Sequence, residues 1–157
     1  MQIYLLRHGI AEDLRPGMSD ADRALTAEGK EKLRRVLKRA PVEPSLILSS
    51  PLKRAIETAG VAAEVLGYEG KIVRIEALVP HGSPYDLWDE LRQRQSETAV
   101  VLASHEPLMS SMAAFLLESP ALQVDMKKAA LVRIDCERLG QKPGGILKWM
   151  LTPAVCE

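Results

Sequence analysis

The sequence predicts an α/β fold: a three-layer α/β/α sandwich around a mainly parallel central sheet, with an antiparallel pair at one edge. Three observations predict it. Strand and helix patterns alternate four times between Ile3 and Leu116, as parallel strands joined by crossover helices require. Ala99 to Ala103 is continuously apolar, as expected of a strand covered on both faces. Beyond Pro120, Ala130 to Cys136 and Ile146 to Leu151 read as two strands joined through Gly140 and Gly144-Gly145.

Each element has its own signal. Ile3 to Leu6 is a buried strand that stops on Arg7-His8-Gly9. Ile10 to Ala24 is polar, carries Pro16-Gly17 and has no period, so it is a loop over the end of that strand. Thr26 is placed as an N-cap, and Leu33, Val36, Leu37 and Ala40 mark the inward face of a helix ending near Pro41, slightly weakened by Gly29. Leu46 to Leu48 is the second strand. Ser50-Pro51 then reads as a cap followed by the first helical position of a helix running to about Gly67. Ile72 to Ile75 is the third strand, and Ser83-Pro84, with Asp86 placed for a capping box, starts a third helix through Leu87, Trp88 and Leu91. The fourth strand ends on Ser104-His105. Pro107 opens a helix whose Leu108, Met112, Phe115 and Leu116 recur at helical spacing.

Composition narrows the class. With 157 residues, 46% of them apolar, residues 1–157 fit a single domain with one substantial core. Basic and acidic residues balance at 21 each, so no broad positive surface is available for nucleic acid, and any anion site must be local. No apolar run approaches the roughly 20 residues that span a bilayer. Cys136 and Cys156 form no disulfide framework and no secretory leader pattern opens the chain, which points to a cytoplasmic protein with reduced thiols.

Ligands of such sheets sit beyond the carboxyl ends of the strands. Arg7-His8, Ser49-Ser50 and Ser104-His105 all fall at such ends, so three separate segments point at one crevice. A neutral His8 held there can attack phosphorus, Arg7 can hold phosphoryl oxygens, and Gly9 admits a close backbone approach. Arg54, in the first turn of the second helix, adds its charge to the positive end of the helix dipole if it turns inward; otherwise it is a solvated surface residue beside Lys53. His105 is either a satisfied strand-end histidine or a second imidazole for the transferring group. Glu106 is a candidate general acid or a helix-start charge facing water, and His81, between Pro80 and Gly82, is a rim contact or simply exposed. A zinc site from His8, His81 and His105 is disfavoured, because Arg7 and Arg54 would set cations beside a cation.

Leu6-Arg7-His8-Gly9, Ser50-Pro51-Leu52-Lys53-Arg54-Ala55-Ile56-Glu57-Thr58 and Ser104-His105-Glu106-Pro107 together resemble the histidine phosphatase superfamily, with its phosphoglycerate mutase-like fold. Asp20 to Thr26, the short length and Glu76 to Pro80 narrow the resemblance to SixA-type phosphohistidine phosphatases. The resemblance implies a metal-independent phosphatase without a cofactor. It makes His8 the nucleophile that becomes phosphohistidine, Arg7 and Arg54 the phosphate clamps, His105 the second pocket histidine and Arg23 a further anion contact. A phosphate or sulfate anion would occupy the same pocket.

Mutase-type members usually follow Arg-His-Gly with Glu or Gln and place an Asn further along; here Ile10 and Leu14 stand instead. They also carry an acid on a longer insertion after the third strand, where this chain has only a short link from Ile75 to Ser83. A phosphomonoester leaves as a poor alkoxide unless protonated, whereas a phosphoramidate leaves as an imidazole and needs less acid help. The expected substrate is therefore phosphohistidine on a partner protein. The alternatives are a phosphomonoesterase for small phosphorylated metabolites, with Glu106 as acid, and a phosphate- or phosphoprotein-binding module without catalysis.

Overall fold

The computed structural model describes residues 1–157. Strand β1 (Gln2–Arg7) sits inside a six-stranded sheet because Ile3, Tyr4, Leu5 and Leu6 all present apolar surface, two to each face. With β2 (Leu46–Ser49), β3 (Ile72–Arg74), β4 (Ala99–Ser104), β5 (Leu131–Asp135) and β6 (Ile146–Leu151), the spatial order is β3-β2-β4-β1-β5-β6. The first four strands of that order run parallel; β5 and β6 are antiparallel additions at the β1 side. The expected sandwich with its antiparallel edge pair is what forms.

Alternation along the strands divides the core in two. On one face Tyr4, Leu6, Ile47, Val101 and Ala103 meet Leu33, Val36 and Leu37 of helix α1 (Ala27–Arg39) and Ala59 and Ala62 of α2 (Lys53–Leu66). On the other face Ile3, Leu5, Leu48, Val100 and Leu102 meet Leu87, Trp88 and Leu91 of α3 (Pro84–Arg92) and Met109, Met112 and Leu116 of α4 (Leu108–Leu116). Each fully buried Leu stabilises the fold by about 2 kcal/mol relative to exposure. No helix is long and apolar enough to cross a membrane.

Local chemistry sets most boundaries. Thr26 Oγ1 accepts from the Gly29 N–H at 2.9 Å, which starts α1 where the sequence places it. Gly67 closes α2 in the left-handed region at φ 68°. Two starts and one cap differ from expectation. Helix α2 begins at Lys53, and Ser50 caps no helical amide: its hydroxyl oxygen accepts from Leu52 N–H in the turn before the helix. Pro107 precedes α4 and is not its first residue. Ser83 Oγ accepts from Tyr85 N–H, a simple cap and not the box expected with Asp86. The Ile10–Ala24 loop also carries a 3-10 turn at Asp20–Asp22.

Gly29 has a role its helix propensity hides. A Cβ there would stand 2.2 Å from the Ile10 carbonyl oxygen, so the bare glycine lets α1 lie directly on the backbone that follows His8-Gly9.

Candidate active site

The register of β1 with β4 pairs Arg7 with Ser104, and His8 N–H donates to the Ser104 carbonyl at 2.9 Å. The next residues of the two strands are therefore neighbours: the rings of His8 and His105 lie 5.1 Å apart, tilted by 58°. Both are buried, at 7% and 1% exposure. The Gly9 carbonyl lies 2.7 Å from His8 Nδ1 and can only accept, so Nδ1 carries the proton and Nε2 keeps its lone pair. Thr58, one turn beyond Arg54 on α2, supports this mount, accepting from Gly9 N–H at 3.2 Å and donating to the Arg54 carbonyl at 2.7 Å.

His105 Nε2 lies 2.7 Å from Ser50 Oγ, and its Nδ1 is buried without a partner. Burial lowers the His8 pKa to about 4, with Arg54, Arg7 and Lys128 adding to the effect and the Gly9 carbonyl opposing it. Burial also lowers that of His105 to about 3, helped by His8 and Arg54. Both rings are therefore neutral near pH 7.

Cations surround the pair. Arg7 Nη1 donates to the Met126 carbonyl at 2.6 Å, while its Nε is buried and unpartnered. Arg54 is 6% exposed and turns inward, donating from Nη1 to the Asp20 carbonyl at 2.9 Å and from Nη2 to Asp20 Oδ2 at 3.2 Å. Arg23 donates from Nη1 to Asp20 Oδ1 at 3.0 Å and from Nε to the Glu12 carbonyl at 2.8 Å. One carboxylate thus ties two guanidiniums together, and Arg23, followed by Arg54, holds it below the usual carboxylate range. A buried polar nitrogen without a partner is costly, and two of them, Arg7 Nε–H and His105 Nδ1, beside paired guanidiniums form a site suited to a tetrahedral anion.

The structure brings Arg7, His8, Arg54 and His105 together, and Arg23 joins through Asp20. Gly9, expected to admit the ligand, instead admits α1, where a Cβ would meet Leu33 at 2.8 Å and the Gly29 carbonyl at 3.0 Å, and its N–H is taken by Thr58. Glu106 is half-buried, and its Oε1 accepts from Ser110 N–H at 2.8 Å, inside the first turn of α4. His81 is exposed in its loop, and the three histidines form no metal-ligand group. The sequence gives no role to Asp20, Thr58, the Met126 carbonyl or Lys128, and it places Ser50 at the crevice but reads its hydroxyl as a helix cap. Asp20 stands three residues before Arg23, a spacing that was the available signal; a backbone carbonyl leaves none.

Residues 3–78 match the model of the histidine phosphatase superfamily (branch 1). An uncharacterized protein of Picosynechococcus is 32% identical over 139 residues, covering 84% of this chain and 83% of its own. The protein histidine phosphatase SixA, solved with tungstate, is 25% identical with a TM-score of 0.84, and each chain covers 100% of the other. The α-ribazole phosphatase of Shigella flexneri shares the fold at 19% identity and a TM-score of 0.73, over 98% of this chain and 97% of its own. With the paired histidines and their guanidiniums at the strand ends, these matches make the chain a member of the histidine phosphatase superfamily, a phosphatase of the SixA type.

Proposed function

We propose that this protein removes the phosphoryl group from a phosphohistidine borne by a partner protein, through a covalent phosphohistidine on Nε2 of His8. The observation that carries the reading is the state of the nearby carboxyls. Asp20 is held ionised between Arg23 and Arg54 and so is not available as a general acid, and Glu106 spends one carboxyl oxygen on the Ser110 amide inside α4. An alkoxide leaving group requires such an acid. A phosphohistidine protonated on its other ring nitrogen leaves as neutral imidazole and does not.

In the first step the His8 Nε2 lone pair forms a bond to phosphorus as the P–N bond of the substrate breaks, its electron pair passing to the departing imidazole. Arg7, Arg54 and His105 stabilise the charge on the equatorial oxygens, and Arg23 adds to the field. In the second step water attacks the phosphorus in line, the bond to Nε2 breaks, and phosphate leaves with His8 restored. The cytoplasm, where phosphohistidine-bearing proteins and reduced thiols coexist, is the proposed setting.

A second reading, a small-molecule phosphomonoesterase, is favoured by the position of Glu106 directly after His105. Phosphate release from a phosphohistidine-bearing protein and from a panel of phosphomonoesters, compared with chelator present, separates the two. Turnover confined to phosphohistidine is expected. Preferred turnover of a phosphomonoester, slowed by Glu106→Gln, would transfer the assignment to the second reading. Tight phosphate binding without any turnover would leave only a binding module.

A further inference from the structure

We propose that Ser50 is a positioning residue: its hydroxyl donates to Nε2 of His105 and so holds that ring as the Nδ1–H tautomer, with Nδ1–H left to donate to a phosphoryl oxygen. The argument is an accounting of donors and acceptors. Ser50 Oγ already accepts from the Leu52 N–H at 3.3 Å. Its own hydrogen has one acceptor within reach, His105 Nε2 at 2.7 Å. If the ring instead donated from Nε2, Ser50 would accept twice, its hydrogen would be stranded in a site that is 0% exposed, and Nδ1 would hold an unused lone pair. The Nδ1–H form leaves one donor without a protein acceptor, and that donor sits on a ring packed beside the His8 imidazole.

Two features keep the arrangement rigid. Ser49 Oγ donates to the Ser50 carbonyl at 2.8 Å, and Ser50 N–H donates to the Ala103 carbonyl at 3.0 Å, so the serine is fixed to β4 just before His105. Burial keeps the ring neutral, so a tautomer choice, and not a charge, is what Ser50 controls. The serine that the sequence offers as a helix cap is thus spent on the histidine at the end of the neighbouring strand. The inference rests on His105 facing the phosphoryl group, which the proposed function shares, but not on phosphohistidine being the substrate.

The test is a long-range proton–nitrogen NMR spectrum of the wild-type protein, with and without inorganic phosphate, alongside turnover of p-nitrophenyl phosphate and of a phosphohistidine protein by Ser50→Ala and Ser50→Thr. The expected wild-type spectrum shows a pyrrole-like Nδ1 and a pyridine-like Nε2 for His105, with the Nδ1 proton shifting on phosphate addition. Ser50→Ala is expected to mix or reverse the tautomers and to lower kcat by about tenfold to a hundredfold, and Ser50→Thr, which keeps the hydroxyl, to restore most of both. A wild-type His105 protonated on Nε2 would overturn the proposal even if Ser50→Ala failed to fold. An unchanged tautomer and an unchanged rate in Ser50→Ala would overturn it equally. Loss of p-nitrophenyl phosphate turnover in Ser50→Ala, together with a wild-type enzyme inert toward phosphohistidine, would remove the proposed substrate and leave the role of Ser50 supported.

Discussion

His8 and His105 directly follow the adjacent parallel strands β1 and β4 with their rings 5.1 Å apart, each buried and each neutral near pH 7. The pairing fixes how the protein responds to acid. A histidine whose folded pKa is about 4 against an ordinary 6.5 contributes stability that is fully present above pH 6.5 and is lost as the pH falls toward 4. For His8 alone the loss by pH 4 is about 3 kcal/mol, and the same sign holds for His105. Melting temperature measured from roughly pH 8 to pH 4 is expected to fall below 6.5, and to fall less steeply in His8→Phe. Turnover should hold down to about pH 5.5, because the nucleophile stays unprotonated there; an acid limb centred at 6.5 would contradict the burial argument.

His8→Ala is expected to abolish turnover of every substrate the wild type accepts. Rapid quench of wild type into alkaline denaturant, where the P–N bond survives, with labelled phosphohistidine protein should trap the label on His8. Residual turnover in the variant, with no trapped label in the wild type, would point to direct attack by water.

Asp20 competes with any bound anion for Arg54 and Arg23. The pair is partly solvated, so its effect is modest, up to about 1 kcal/mol. Asp20→Ala is expected to tighten inhibition by inorganic phosphate about threefold to fivefold. Weaker inhibition would show instead that Asp20 chiefly orients the guanidiniums.

Gly29→Ala sets two effects against each other. Alanine in a helix interior is favoured over glycine by about 1 kcal/mol. The added Cβ would meet the Ile10 carbonyl oxygen at 2.2 Å and force α1 away from the backbone behind His8, at a cost of roughly 1–3 kcal/mol. Lower thermal stability and reduced turnover together are expected; a more stable variant would show that the helix can move without cost.

The strand ends were legible because apolar runs stopping on Arg7-His8 and Ser104-His105 need no tertiary knowledge to be noticed. Its place early in a helix after β2 left Arg54 either inward or solvated beside Lys53, and only the family resemblance made it a phosphate clamp. What stayed hidden depends on contacts between distant segments. Ser50 before Pro51 has the local chemistry of a cap, and only the arrival of His105, 55 residues later, diverts its hydroxyl. Gly29 reads as a weak point in a helix until Ile10 is seen lying against it. Asp20 sits in a stretch with no period, and its value comes from two arginines on different elements.

The strand order also has a consequence for the timing of biosynthesis. Strand β4 inserts between β2 and β1, both of which leave the ribosome earlier, and it brings His105 to His8 only when that gap is filled. A nascent chain that ends before β4 has neither strand partner of β1, no second imidazole and no Ser104 carbonyl to hold His8 N–H. The pocket is therefore assembled from both sides of β1 in chain order, the second imidazole with β4 and the carbonyl that holds Arg7 only with Met126, just before β5.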